Sequence, residues 1–133
     1  MSCNMVTRRI DNLLILRQSR EPPSDKEWND CLDLLRDGLE GLRVLVITDG
    51  GGPSPEQRRR LDRTLNGEPI RIAVVSESVR VRFIVSSVAL FSSRIKSFSE
   101  LEYPQALQHL ELGIDERRTA QQHIREMTAQ INR

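Results

Sequence analysis

The sequence predicts an α/β domain: one mixed, mostly parallel sheet of about five strands, with a hairpin at one edge, helices on the faces and an extra C-terminal helix. Three observations carry this. The run Val44-Leu45-Val46-Ile47-Thr48 is apolar and β-branched almost throughout, as a strand buried on both faces should be. Capped helical segments follow this run and the one before it, so strands and helices alternate and a parallel sheet is expected. The opening apolar segments are too close together for a crossover, which makes them a hairpin.

Residues 5–9 form the first strand, Asp11-Asn12 supplies turn chemistry, and Leu13-Leu14-Ile15-Leu16 is a second, buried strand. Pro22-Pro23 ends the hairpin. Ser24-Asp25-Lys26-Glu27 is a capping box, and Trp28, Cys31, Leu32, Leu35 and Leu39 follow at helical spacing until Gly38 and Gly41 stop the helix. The strand over 43–48 runs into Asp49-Gly50-Gly51-Gly52-Pro53. Ser54 then caps a helix that has Pro55 in first place and Gln57 completing a second capping box. That helix, ending near Asn66-Gly67, carries only Leu61 and Leu65 on its apolar stripe, with Arg58, Arg59, Arg60 and Arg63 elsewhere. Residues 70–75 are a further buried strand. Ser76-Glu77-Ser78 leads into a helix over 79–91, apolar over most of its circumference through Val81, Ile84, Val85, Val88, Leu90 and Phe91. A short edge strand over 95–98 and a helix over 102–112, broken by Gly113, complete the alternation. Residues 115–132 read as a polar helix with a narrow seam of Ala120, Ile124, Met127 and Ile131. The expected division is thus an α/β domain over 5–112 and an amphipathic helix over 113–133.

Composition narrows the function. The chain has 133 residues, enough for one domain and long enough to need no disulfide or metal for stability. Lys and Arg nearly balance Asp and Glu, for a net charge of +1, and aromatics are 4%, which argues against a nucleic-acid partner. No apolar run approaches the roughly 20 residues needed to cross a bilayer, so no membrane association is expected. The start lacks the pattern of a signal peptide, and Cys3 and Cys31 read as free thiols, the first in a frayed terminus. A cytoplasmic location is the expectation.

Parallel strands point the same way, so the corners Asp49 to Ser54 and Ser76 to Ser78 are expected on one edge of the sheet, where open α/β sheets bind ligands and partners. Asp49, Gly50, Gly51, Gly52, Ser54, Arg58, Arg59, Ser76 and Ser78 are the candidate binding residues, for a protein partner or an anion. Each also has a plain structural reading. Glycines permit a tight turn, serines cap helices, and charge runs solvate a helix face. The turn matches neither a P-loop nor a dinucleotide fingerprint. Phosphate on Ser54 would sit favourably at a helix N-terminus. Asp49 lacks the neighbouring carboxylates that metal-assisted phosphorylation requires. His109 and His123 are far apart with no ligand spacing around them, so no metal, cofactor or catalytic residue is expected. The terminal helix either docks on its own domain or, through 115–132, pairs with a second copy.

Within this frame, Arg71-Ile72-Ala73-Val74-Val75-Ser76-Glu77-Ser78-Val79-Arg80-Val81-Arg82 resembles the fourth-strand and third-helix unit of bacterial STAS-like domains, relatives of anti-sigma-factor antagonists grouped with the CRAL-TRIO fold. Ile95-Lys96-Ser97-Phe98 with Tyr103-Pro104-Gln105-Ala106-Leu107-Gln108-His109-Leu110 is similar to that family's last strand and helix. The resemblance spans about 5–112. It implies a non-enzymatic regulatory module that binds a protein, in some members gated by serine phosphorylation. The antagonists start the helix after their third strand with Asp-Ser-Ser/Thr-Gly. Here the region reads Asp49-Gly50-Gly51-Gly52-Pro53-Ser54, so only Ser54 is a counterpart, after a shift. Lipid-transfer relatives enclose a large apolar cavity, for which the chain is expected to be too short. The leading expectation is a regulatory or scaffold domain binding a protein through this edge. The alternative is a sensor of a nucleotide or other anion, using the turn 49–54.

Overall fold

The apolar runs pair side by side in chain order. The computed structural model describes residues 3–89 and 94–133. Leu90 and Phe91, assigned above to a helix end, lie outside the described residues, as does the side chain of Val88. The elements are β1 (Met5–Ile10), β2 (Leu13–Gln18), α1 (Asp25–Leu35), β3 (Arg43–Thr48), α2 (Pro55–Leu65), β4 (Arg71–Val75), α3 (Val79–Ala89), β5 (Ile95–Phe98), α4 (Tyr103–His109) and α5 (Ile114–Thr128), with a 3-10 turn at Glu100–Glu102. The sheet order is β1-β2-β3-β4-β5. β1 is antiparallel to β2, and every later pair is parallel.

Strand order fixes the layers. Four parallel strands advancing in one direction, joined by right-handed crossovers, must put all their connecting helices on one face. Leu14, Leu16 and Val44 accordingly pack with Trp28, Cys31, Leu32 and Leu35 of α1, and with the partly buried Leu61 and Leu65 of α2. The opposite face is left to whatever follows β5. There Leu13, Ile15, Leu45, Ala73 and Val75 pack with Ala106, Leu107 and Leu110 of α4 and Ala120 and Met127 of α5. This is why β2 reads Leu-Leu-Ile-Leu without alternation: both of its faces are core.

Both capping boxes form. Ser24 Oγ accepts from Glu27 N–H and Ser54 Oγ from Gln57 N–H, while each third-position side chain accepts the cap N–H in return. Several boundaries differ from expectation: β1 and β2 run on to Ile10 and Gln18, and the last helix stops at Thr128. α1 stops at Leu35, and Leu39 packs on the core from the following loop. β4 begins at Arg71, not Ile70. α4 ends at His109, before Gly113. There Leu112 N–H donates back to Leu107 O at 3.1 Å and Glu111 takes the left-handed conformation, φ 58°. Gly113 instead begins α5, its N–H donating to Glu116 Oε1.

Of the two courses open to it, the C-terminal helix takes the first and docks on its own domain. Its seam faces its own sheet: Ala120 and Met127 are fully buried, Ile131 is buried, and Ile124 packs against the same core. Arg8 pairs with Glu126 and Arg43 with Glu116, so polar residues of α5 are tied to β1 and β3 as well. Pairing with a second copy through the seam of 115–132 would require this face to leave the core. Cys3 is not frayed either. Its N–H donates to Gln130 O at 3.0 Å, and its carbonyl accepts from Asn132 N–H at 2.8 Å. Cys31 is buried on α1, which pushes its thiol up to about 12. No helix among the described residues is long and apolar enough to cross a membrane.

Met127→Ala removes a fully buried side chain, and chemical denaturation should show a loss of about 2–5 kcal/mol. A neutral substitution would mean that α5 is an appendage. Glu116 tests the docking electrostatically. The Arg43 hydrogen bond, then that of Gly113 N–H, holds its carboxyl below the ordinary 4.5. A lowered folded pKa adds stability above the ordinary value, and that stability is lost as pH falls through the folded value. Glu116→Gln should therefore melt below wild type at neutral pH, with the gap closing in acid. A gap that persists or widens in acid contradicts the account.

Candidate functional site

The ends of β2, β3 and β4 coincide because the strands are parallel and in register: Gln18 pairs with Thr48, and Ile47 with Val75. The segments that follow these strands therefore leave on one edge. A Cβ built on Gly50 would stand 4.0 Å from both Cβ and Oγ of Ser78. Ser76 Oγ donates to Thr48 O at 2.9 Å. The two corners expected to be neighbours lie side by side.

The three glycines do different work. Gly50 has φ +137°, a conformation that side chains rarely adopt. Gly51 is pressed on the segment after β2: its N–H donates to Ser19 O, and a Cβ there would stand 2.3 Å from Glu21 O and 2.7 Å from Ser19 O. Thr48 Oγ1 locks the turn from inside, accepting from Gly50 N–H and donating to Gly51 O. Gly52 has no such neighbour. Nothing lies within 4 Å of a Cβ built there.

The polar candidates also divide. Asp49 is held by Arg17 Nη2 at 3.0 Å and by Arg133 Nε at 3.1 Å, so its charge is neutralised within the molecule. Ser54 and Ser78 cap α2 and α3, accepting from Gln57 N–H and Val81 N–H. Ser76 is only 1% exposed and bonds Thr48 O and Ser78 N–H. It ties β4 to β3 and offers no surface to a partner, which corrects its place among the candidates. In the arginine run, Arg59 and Arg63 pair with Glu56, whose carboxyl is held low chiefly by the Arg59 hydrogen bond. Arg60 bonds Asn29 Oδ1. Arg58 is exposed and has no side-chain partner among the described residues. His109 bonds Arg94 O, and His123 meets Arg8.

Behind this rim lies an open, largely apolar cleft of about 560 Å³, between the sheet and the helices α1, α2 and α3. Its cause is visible in α2. Only Gln57 of that helix is buried, and its two leucines are only half covered. The stripe is thin, and Val46 and Ile72 beneath it stay only partly covered. The far wall is Val81, Ile84 and Val85 of α3. This apolar space is an open cleft and not an enclosed cavity. The walls that reach the rim include Gly50, Gly51, Gly52, Ser54 and Arg58, together with Arg20 and Arg80, which the sequence did not single out. Only topology brings the last two together, since Arg20 follows β2 and Arg80 opens α3.

A five-stranded mixed sheet in chain order, with three crossover helices on one face and two later helices on the other, has the architecture of the STAS-like domains. The chain is similar to the crystal structure of an uncharacterised DUF3478-family protein with a SpoIIAA-like fold from Shewanella loihica PV-4. The TM-score is 0.58 and the identity 17%, over 80% of this chain and 91% of that one. The chain thus has the SpoIIAA-like, that is STAS-like, fold. No family model matches it, and no curated protein does.

Gly51→Ala should cost upwards of about 2 kcal/mol, because its Cβ meets backbone rather than a movable side chain. Gly52→Ala should stay within about 0.5 kcal/mol. Urea melts of the two variants check this; equal losses would refute the division of roles.

Proposed function

We propose that the domain is a non-enzymatic regulatory or scaffold module. It binds a protein partner through the loops at the C-terminal edge of the sheet, and phosphorylation of Ser54 is its gate. The observation that carries the reading is the contact between the Gly50 and Ser78 corners, with exposed apolar surface beside it. Val79 is 80% exposed and Phe83 73%, one helical turn apart on the same stripe of α3. Large apolar side chains held in water beside a polar rim are the usual mark of an interaction surface. Arg58 and Arg59 add charge on the neighbouring helix. A phosphate on Ser54 would add nearly two negative charges at the start of α2, offsetting much of the positive charge that a partner meets there.

A second reading, a sensor of a nucleotide or other anion, is favoured by Gly52. Its N–H has no acceptor among the described residues, and a Cβ built there would meet nothing within 4 Å. Such a ligand, at 100 times its dissociation constant, stabilises by about 2.7 kcal/mol, easily read in a thermal melt.

Cross-linking and affinity capture with wild-type protein, an Arg58→Glu/Arg59→Glu variant and a Phe83→Ser variant test the first reading. A partner retained by wild type should be lost at least tenfold from both variants. Equal retention by all three removes this surface from the account.

A further inference from the structure

The two edges of the sheet are guarded differently. β5 is four residues long and carries Lys96 exposed, a short, charged strand of the kind that resists pairing with another chain. β1 is six residues long and holds no proline, lysine or acid. It runs against β2 one residue to one, without a bulge. Its two arginines are folded back onto their own molecule. Arg8 Nη1 meets His123 Nδ1 at 2.9 Å and pairs with Glu126, both on α5. Arg9 donates to Leu34 O at 2.7 Å, near the end of α1, and to Asp11 O at 2.9 Å. Neither guanidinium is left to guard the edge.

The hairpin fixes which backbone groups face outward. Its two-residue turn closes on the pair Ile10 and Leu13. The antiparallel ladder alternates from there, so Val6, Arg8 and Ile10 turn their N–H and C=O groups to β2, and Met5, Thr7 and Arg9 turn theirs outward. The residues before β1 keep the same phase. Ser19 N–H donates to Asn4 O at 2.8 Å, whereas Cys3 faces out and bonds Gln130 O and Asn132 N–H of the C-terminal tail. Met5 N–H is taken by Glu27 Oε2 at 3.3 Å. The outward groups of Thr7 and Arg9 have no partner among the described residues. The open stretch thus runs from the Met5 carbonyl to Arg9. The tail and Glu27 close it at one end and the hairpin turn at the other, and Thr7 is its midpoint.

We infer that the protein forms a two-fold homodimer, in which β1 pairs antiparallel with β1 of a second copy about an axis through Thr7. The open stretch is its own complement. Each Thr7 N–H meets the carbonyl of the partner's Thr7, and each Arg9 N–H meets the carbonyl of the partner's Met5. The Met5 N–H stays with Glu27, so the pairing breaks none of the bonds made within one chain. Arg9 stands opposite the partner's Met5 and Arg8 opposite the partner's Val6, so no like charges are opposed. An unrelated strand would have to fit an opening closed at both ends; a second copy fits it by symmetry. The two sheets join into one, with the axis perpendicular to it, so the two glycine-turn edges point in opposite directions and both stay open. The inference goes beyond the partner-binding reading, uses a different edge and does not depend on it.

Sedimentation of wild-type protein should give twice the chain mass, falling to the single-chain mass on dilution. Amide exchange then identifies the surface. The Thr7 and Arg9 N–H groups should be protected in the dimer and lose about tenfold or more of that protection on dilution, while Val6 and Arg8, bonded to β2, keep theirs. Thr7→Lys and Thr7→Glu should each sediment as monomers, because like charges then face each other across the axis. Mixed in equal amounts, the two variants should form a dimer again, which separates lost pairing from lost fold.

A single-chain mass for wild type at millimolar concentration overturns the inference. So does a dimer whose Thr7 and Arg9 amides exchange freely, since another surface then joins the copies. Dimers of undiminished strength from either charge variant alone overturn it, as do folded variants that stay monomeric when mixed. The wild-type mass and exchange decide the matter even where a variant fails to fold.

Discussion

Arg17 is a charged residue near the end of a central strand, and it is 4% exposed. Burying a guanidinium costs several kcal/mol unless its donors are met. Here Nε donates to Thr128 Oγ1, Nη1 to Gln18 O and Ile47 O, and Nη2 to Asp49 Oδ1. One side chain thus fastens the end of α5, the end of β3 and the first residue of the glycine turn to β2. It also settles the electrostatics of the rim. The carboxylate of Asp49 is held by Arg17 and Arg133.

Much of this architecture is legible in the residues. Unbroken apolar strands announce burial on both faces. Ser24 with Glu27 and Ser54 with Gln57 announce two helix starts, and both capping boxes form as read. The adjacency of the two corners follows from strand direction alone. What is not legible depends on the third dimension. The seam of α5 is as narrow as an isolated pairing stripe because α4 shares the same face and takes the rest of the area. The end of α4 is hidden because Glu111, not glycine, adopts the left-handed turn. Arg20 and Arg80 have nothing in common along the chain, and only the crossovers bring them to one opening.

Ser76 shows how a sound local argument misplaces a residue. A serine after a strand and before a helix reads as a cap or an exposed contact. In the folded protein the cap is Ser78, and Ser76 turns inward to satisfy the last carbonyl of β3. The thin stripe of α2 shows the reverse. The paucity of apolar residues is plain in the sequence, where it suggests only a solvated helix. Its consequence, a helix that stands over the sheet without filling the space beneath, appears only with the sheet in place.

Gln57 and Trp28 join α1 to α2. The indole N–H of Trp28 donates to Gln57 O, and the Gln57 side-chain amide donates to Pro23 O and Asp25 Oδ1. These bonds clamp the starts of both helices, so the two behave as one rigid jaw on that side of the opening. The opposite jaw is α3, whose described side chains include a single buried one, Val85. Of the two sides of the opening, the α1–α2 side is therefore the one tied together by hydrogen bonds.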